Sequence, residues 1–162
     1  MPRAGVAVRP HAAGARVAAP VDESQLHGPD GGGHVYIYEL AADGTSVSLE
    51  TSVSSATDPL SQFGISVSLS DTSSGPALAV GMPGMDLNAG EFGSVVIYRL
   101  LGGDGGWQTQ ETVVAEIPDN SDHFGTSVSI DNNLLVVGAP DASTTGSLNG
   151  VAYIYRYSPS SG

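Results

Sequence analysis

The sequence contains no cysteine and no lysine. Without cysteine there are no disulfides, no thiolate metal ligands and no cysteine nucleophile, and the redox compartment goes unreported. Without lysine there is no P-loop, no Schiff base and no lysine general base. Five arginines stand against 17 acidic residues, for a formal net charge of −12. Such a polyanion is repelled by phosphate backbones and gains nothing from counterion release, which excludes nucleic acid as the expected partner. Apolar runs stop at five or six residues, against the roughly 20 that cross a bilayer as a helix. Arg3 and Arg9 flank a short apolar stretch near the start, but Pro10 interrupts it and no signal peptide is expected there.

What is present is a turn-rich, packable chain. Of 162 residues, 22 are glycine and 10 proline, while 40% are hydrophobic and only 14% charged. That length suits one ordinary domain, and that composition a folded rather than a disordered one. Self-similarity is evident. Gly125-Thr126-Ser127-Val128-Ser129-Ile130 runs through a short turn to Leu134-Leu135-Val136-Val137-Gly138-Ala139-Pro140. Gly64-Ile65-Ser66-Val67-Ser68-Leu69 runs to Ala77-Leu78-Ala79-Val80-Gly81-Met82-Pro83, and Gly5-Val6-Ala7-Val8 to Arg16-Val17-Ala18-Ala19-Pro20. The Gly-to-Pro distance is 15 residues in the first and third copies and 19 in the second. Behind each proline comes a second landmark: His34-Val35-Tyr36-Ile37-Tyr38, Ser94-Val95-Val96-Ile97-Tyr98 and Val151-Ala152-Tyr153-Ile154-Tyr155, each preceded by glycine. Repeats in a fixed order signal a repeat architecture.

Each unit holds four strand-like runs rich in β-branched and aromatic residues, punctuated by Gly, Asn, Asp, Ser and Pro, with no 3.6-residue period. The chain reads as all-β. The third run selects the architecture, because Tyr36 and Tyr38 point one way and Val35 and Ile37 the other. A strand apolar on both faces has to be covered on both, at about 1.5–3 kcal/mol for each large side chain buried. Stacked four-stranded antiparallel meanders do this, with the serine-rich first run innermost, where Ala7, Ser66 and Ser127 are the small residues at one equivalent position. The polar fourth run, Ser46–Glu50 in copy one and Trp107–Val114 in copy two, suits the exposed outer edge. The expected fold is a set of β-propeller blades. Residues 4–62 form one blade repeat, 63–123 a second, 124–157 an incomplete third lacking its fourth strand, and 158–162 a polar tail. That is about 2.7 blades where a ring takes about four to eight, so further blades from flanking sequence are expected, with self-assembly into a ring as the alternative.

These landmarks resemble the FG-GAP repeats of the integrin α-chain N-terminal β-propeller. Phe124-Gly125, Val136-Val137-Gly138-Ala139-Pro140 and Gly150-Val151-Ala152-Tyr153-Ile154-Tyr155 together look like a full repeat signature; copy two keeps Phe63-Gly64 but reads Gly81-Met82-Pro83, and copy one reads Ala18-Ala19-Pro20. The resemblance implies a seven-bladed ring used outside the cell or at its surface for adhesion or ligand binding, on the rim carrying the 2–3 loops. It also implies calcium loops in the hairpins between first and second strands. Those hairpins read Asp71-Thr72-Ser73-Ser74-Gly75 and Asp131-Asn132-Asn133. Six to eight oxygens with several carboxylates are not available there, so neither calcium nor another cofactor is expected.

A meander puts its 2–3 loops and blade links on one rim and its 1–2 and 3–4 hairpins on the other. Asp22, Glu23, Asp30, Asp58, Asp86, Glu91, Asp119, Asp122 and Asp141 fall on the first, Asp43, Asp71, Asp104 and Asp131 on the second, and Glu39, Glu50, Glu111 and Glu116 on strands. Within the acidic rim, Asp22, Glu23, Asp86, Glu91 and Asp141 are the candidate ligand-binding residues, for a protein or cation-bridged ligand; solubility alone also accounts for them. Catalytic signals are poor. Gly64-x-Ser66 and Gly125-x-Ser127 lack the closing glycine and the strand-turn-helix of a nucleophile elbow, His123 is placed beside no nucleophile, and His11 and His27 are expected in loops. The expected function is a non-enzymatic binding or adhesion module; the alternatives are an accessory propeller of a secreted hydrolase and a calcium-stabilised scaffold.

Overall fold

The structure, a computed structural model, describes residues 7–11, 14–20, 33–55, 61–72, 74–84, 92–102, 105–116, 121–143 and 149–156. Among them are eleven strands and no helix: β1 (Ala7–His11), β2 (Gly14–Pro20), β3 (His34–Leu40), β4 (Val47–Ser54), β5 (Ser66–Thr72), β6 (Gly75–Met82), β7 (Ser94–Leu101), β8 (Gly106–Val113), β9 (Ser127–Asp131), β10 (Leu134–Ala139) and β11 (Val151–Arg156). They pair only with chain neighbours, as antiparallel meanders β1-β2-β3-β4, β5-β6-β7-β8 and β9-β10-β11. Turn chemistry makes the hairpins. Asp43 Oδ1 accepts from the Thr45 amide at 3.0 Å and its hydroxyl at 2.7 Å, ahead of Gly44 with φ 70°, an Asx turn. Asn132 supplies the left-handed residue between β9 and β10 with φ 55°. The expected all-β blades are present.

The sheets stack like leaves around an inner edge. β5 packs against β1 and β2 on one side and β9 on the other, so the first strand of each unit is innermost. The resulting two seams hold separate cores. The first joins Ala18, Val35, Ile37 and Val53 to Leu78, Val80, Val96 and Tyr98, with Phe63, Val67 and Leu69 between them. The second joins Ala77, Ala79, Val95 and Ile97 to Leu135, Val137 and Ala139, around Phe124. The two-faced burial inferred for the third strand holds fully only in the middle sheet, where β7 is buried from Ser94 to Arg99. In the first sheet Val35 and Ile37 are buried while Tyr36 and Tyr38 are half-buried. In the third, Ile154 is 72% exposed. A blade face is dry only where a neighbouring blade covers it.

Tyr38, Tyr98 and Tyr155 occupy equivalent places on β3, β7 and β11, and the β3–β4 and β7–β8 ladders shift register at matching points, Ile37/Tyr38 and Ile97/Tyr98. One alignment is corrected. Pro20 pairs with Val35, where the other sheets pair Gly81 with Val95 and Gly138 with Ala152. Pro20 therefore corresponds to Gly81 rather than to Pro83. Along β1, Ala7 pairs with Ala18 and corresponds to Ser68, which pairs with Ala79, rather than to Ser66. A slip of two residues leaves every side chain on its own face, so hydrophobic patterning could not detect it. His11 also lies in β1, not in a loop, and pairs with Gly14.

Candidate functional site

The residues that define each repeat work at the seams. Gly93, at φ 77°, pairs with Phe124 through a parallel bridge, and a Cβ there would fall on the Phe124 backbone. Only glycine suits that conformation and that approach. Phe124, fully buried, meets Tyr153 and Tyr155 edge-on at 5.4 and 6.1 Å between ring centroids, while Phe63 meets Tyr98 at 6.4 Å. Serine alternation on β5 serves the same purpose. The Ser66 hydroxyl donates to Gly125 O at 2.7 Å, and Ser68 and Ser70 Oγ accept from the amides of Ile130 and Asn132 at 3.0 and 2.9 Å. These are bonds from one blade's innermost strand to the next blade. Ser66 is thus a seam residue, in keeping with its recurrence.

At one rim the blade links interlock with the 2–3 loops. Gly84 N donates to Ser61 O at 3.2 Å. One blade further on, His123 Nδ1 meets Asp141 Oδ2 at 2.7 Å, an ion pair when the imidazole is protonated. Their side chains are 38% and 50% exposed, with the His123 Nδ1 atom itself turned inward and buried. His123 holds a left-handed backbone, φ 53°, and its carbonyl accepts from the Thr126 hydroxyl at 2.7 Å. Asp122 beside it is buried. Glu116 is expected on a strand; the structure puts it in the blade link, because β8 ends at Val113. Tyr153 registers both acids: burial raises its pKa, and the charges of Asp122 and Glu116 raise it further. Of the candidate ligand-binding residues, only Asp141 is described, exposed on this rim. Asp22, Glu23, Asp86 and Glu91 lie outside the described residues. On the opposite rim Asp43, Asp71 and Asp131 stand at the hairpins.

The hairpin after β5 does not fit calcium. Arg99 Nη1 donates to Thr72 Oγ1 at 2.7 Å, and the Thr72 hydroxyl donates to Gly75 O at 2.7 Å, so a fixed cation already sits on that hairpin, which has one carboxylate. Asn132 spends its backbone amide on the seam. Among the described residues no group of three or more His, Asp or Glu is placed to hold a metal. The sequence did not reveal a cleft of about 550 Å³ between the outer parts of the second and third sheets, walled by Ile97, Arg99, Glu111 and Val113 on one side and Asn132 and Tyr155 on the other. Its signal is two of the five arginines, Arg99 and Arg156, recurring at one repeat position next to the closing tyrosine.

No helix among the described residues is long and apolar enough to cross a membrane. Comparison with curated proteins returns no match for the chain. The family model of the FG-GAP repeat matches residues 107–155, from the start of β8 through β11, the stretch that contains Phe124-Gly125, Gly138-Ala139-Pro140 and the tyrosine strand. Seam glycines, buried link phenylalanines and stacked antiparallel meanders agree with that match: residues 107–155 are similar to the FG-GAP repeat, within a chain built of partial β-propeller blades.

Proposed function

We propose that the chain is a non-enzymatic binding module, used at the cell surface or outside the cell, that recognises a protein or cation-bridged ligand through its link rim. One observation carries the reading: blade links and 2–3 loops are tied together on a single rim, where the exposed His123–Asp141 pair joins a link to a loop. Loops anchored on a rigid scaffold are where binding residues gather, and an acidic loop set suits a basic or cation-bridged surface. The seam work of Ser66 supports the same reading, since one of the two serine motifs that suggest a nucleophile is spent on stacking.

The test compares two charge-neutralised variants for binding to matrix-coated surfaces and intact cells. The first carries Asp22→Asn, Glu23→Gln, Asp86→Asn, Glu91→Gln and Asp141→Asn. The second carries Asp43→Asn, Asp71→Asn and Asp131→Asn on the opposite rim. The first is expected to lose about tenfold or more in affinity, equivalent to about 1.4 kcal/mol, and the second less than about twofold. Equal binding by both variants removes the rim assignment.

A further inference from the structure

The links that lead into the second and third blades are built alike except for one charge pair. Gln62 and His123 each stand one residue before a buried phenylalanine, at φ 55° and 53°. Each accepts through its carbonyl from the amide three residues on, Ile65 and Thr126, both at 3.1 Å. Because Gly81 and Gly138 hold the same place in their ladders, the residue at the root of the 2–3 loop is Gly84 in one blade and Asp141 in the other. In the second blade a backbone bond, Gly84 N to Ser61 O, ties loop to link, and it carries no titratable group. The third blade sets His123 and Asp141 at the corresponding places.

His123 Nδ1 lies 2.7 Å from Asp141 Oδ2, yet that nitrogen is buried and makes no aligned hydrogen bond. The attraction is one of charge more than of direction. An imidazolium holds the carboxylate, whereas a neutral ring turns a lone pair or a poorly aimed N–H toward it. Asp141 adjoins Ala142, which is anchored in the second core and whose carbonyl accepts the Gly150 amide at 3.1 Å. The pair therefore braces the bond that closes the loop ahead of β11. The other titratable groups of this corner are Asp122 and Glu116 on the link and Tyr153 and Tyr155 on β11, whose phenols register Glu116. Phe92 and Gly93, which reach the link from the second blade, add no charge. Of these side-chain types, histidine is the one that changes charge between about pH 5 and 8.

We propose that the His123–Asp141 pair is a pH-dependent latch on the link rim: with His123 protonated it holds Asp141 and closes the third blade's 2–3 loop on the link, and with His123 neutral it releases Asp141 to a basic side chain of a partner protein. The latch rests on the binding role proposed for this rim and supplies its regulation. The imidazolium and the partner's guanidinium or ammonium compete for one carboxylate, so affinity rises with pH. A half-exposed ion pair contributes little, so the response is graded, about twofold to fivefold, and not all-or-none.

Amide exchange at Gly150, corrected for its intrinsic pH dependence, reads the latch without any ligand. Protection in the wild type is expected to be about twofold to fivefold higher near about pH 5.5 than near about pH 7.5. In His123→Gln, which copies the second blade, and in Asp141→Asn it is expected to be the same at both. Equal protection at both pH values in the wild type, or a wild-type difference that persists in either variant, overturns the latch. Binding to matrix-coated surfaces and intact cells then reads its consequence. The wild type is expected to bind about twofold to fivefold more tightly at the higher pH, and His123→Gln, which keeps the other histidines, to lack that ratio. The same ratio in both proteins overturns the regulatory role. Absence of binding at either pH overturns the function proposed for the rim and not the latch, which exchange decides by itself. Each variant is first checked for a cooperative thermal melt, and His123→Asn, at ease in the left-handed region, replaces His123→Gln if the latter fails.

Discussion

Gly81 sits where two requirements of a seam meet. A Cβ added there would lie under 3.0 Å from both Gly125 O and Ser66 Oγ. The first is backbone and the second is held by its own bond to that carbonyl at 2.7 Å, so neither gives way freely. Gly81→Ala therefore drives the third blade's link away from the second blade. Losing the buried Ser66–Gly125 bond costs about 1–3 kcal/mol, and forcing packed backbone apart costs about 1–3 kcal/mol more. A loss of about 2–6 kcal/mol is expected, lowering Tm by about 4–24 °C for a chain of this size. Gly102→Ala is the control, since nothing lies within 4 Å of its added Cβ; it should stay within about 0.5 kcal/mol of wild type. Urea unfolding with linear extrapolation, supported by thermal melts, measures both. If Gly81→Ala is as harmless as Gly102→Ala, the blades do not touch where the seam requires it.

Phe124→Ala removes a fully buried ring and two aromatic contacts, and should cost about 3–5 kcal/mol in the same urea assay; a loss below about 1 kcal/mol would place Phe124 outside the second core. Burial lifts the Tyr98 phenol above its ordinary 10.0, with a hydrogen bond to Thr109 acting the other way. The proton is thus held more tightly in the folded chain than in the unfolded one. The corresponding stability is complete below about pH 10 and is lost as pH rises through 10 toward the folded value. Urea melts from pH 8 to 11 should show a shallower alkaline decline for Tyr98→Phe than for wild type, and identical slopes would contradict this.

Periodicity made the blades legible because a strand's faces alternate with period two. Tyr36 against Ile37, or Tyr153 against Ile154, declares two faces whatever the partner. The same property hid the register of the first copy, where a slip of two residues changes no face, and Pro20 looked like the landmark proline although it stands in the Gly81 place. The serines of β5 were visible as alternation, but their partners lie 59 to 62 residues away, and no local pattern encodes that distance. Glu116 looked strand-borne because Val113 and Val114 continue the apolar run, yet pairing stops at Val113. Topology assigns acids to the link rim, and of those assigned there only Asp122 and Asp141 are among the described residues. The meeting of His123 with Asp141 was not legible, since it depends on how a link and a loop from different parts of one blade fold back together.

Amide hydrogen exchange at Ile130 and Asn132 addresses the stacking of the blades most directly. Both N–H groups lie on the innermost strand or its turn and are held across a seam, by Ser68 and Ser70. Both should be protected in the wild type, and Ser68→Ala should speed exchange at Ile130 by about tenfold or more while the β10–β11 ladder stays unchanged. Exchange at exposed-turn rates in the wild type, or an Ile130 amide indifferent to Ser68→Ala, would contradict blades packed edge to edge around a common axis.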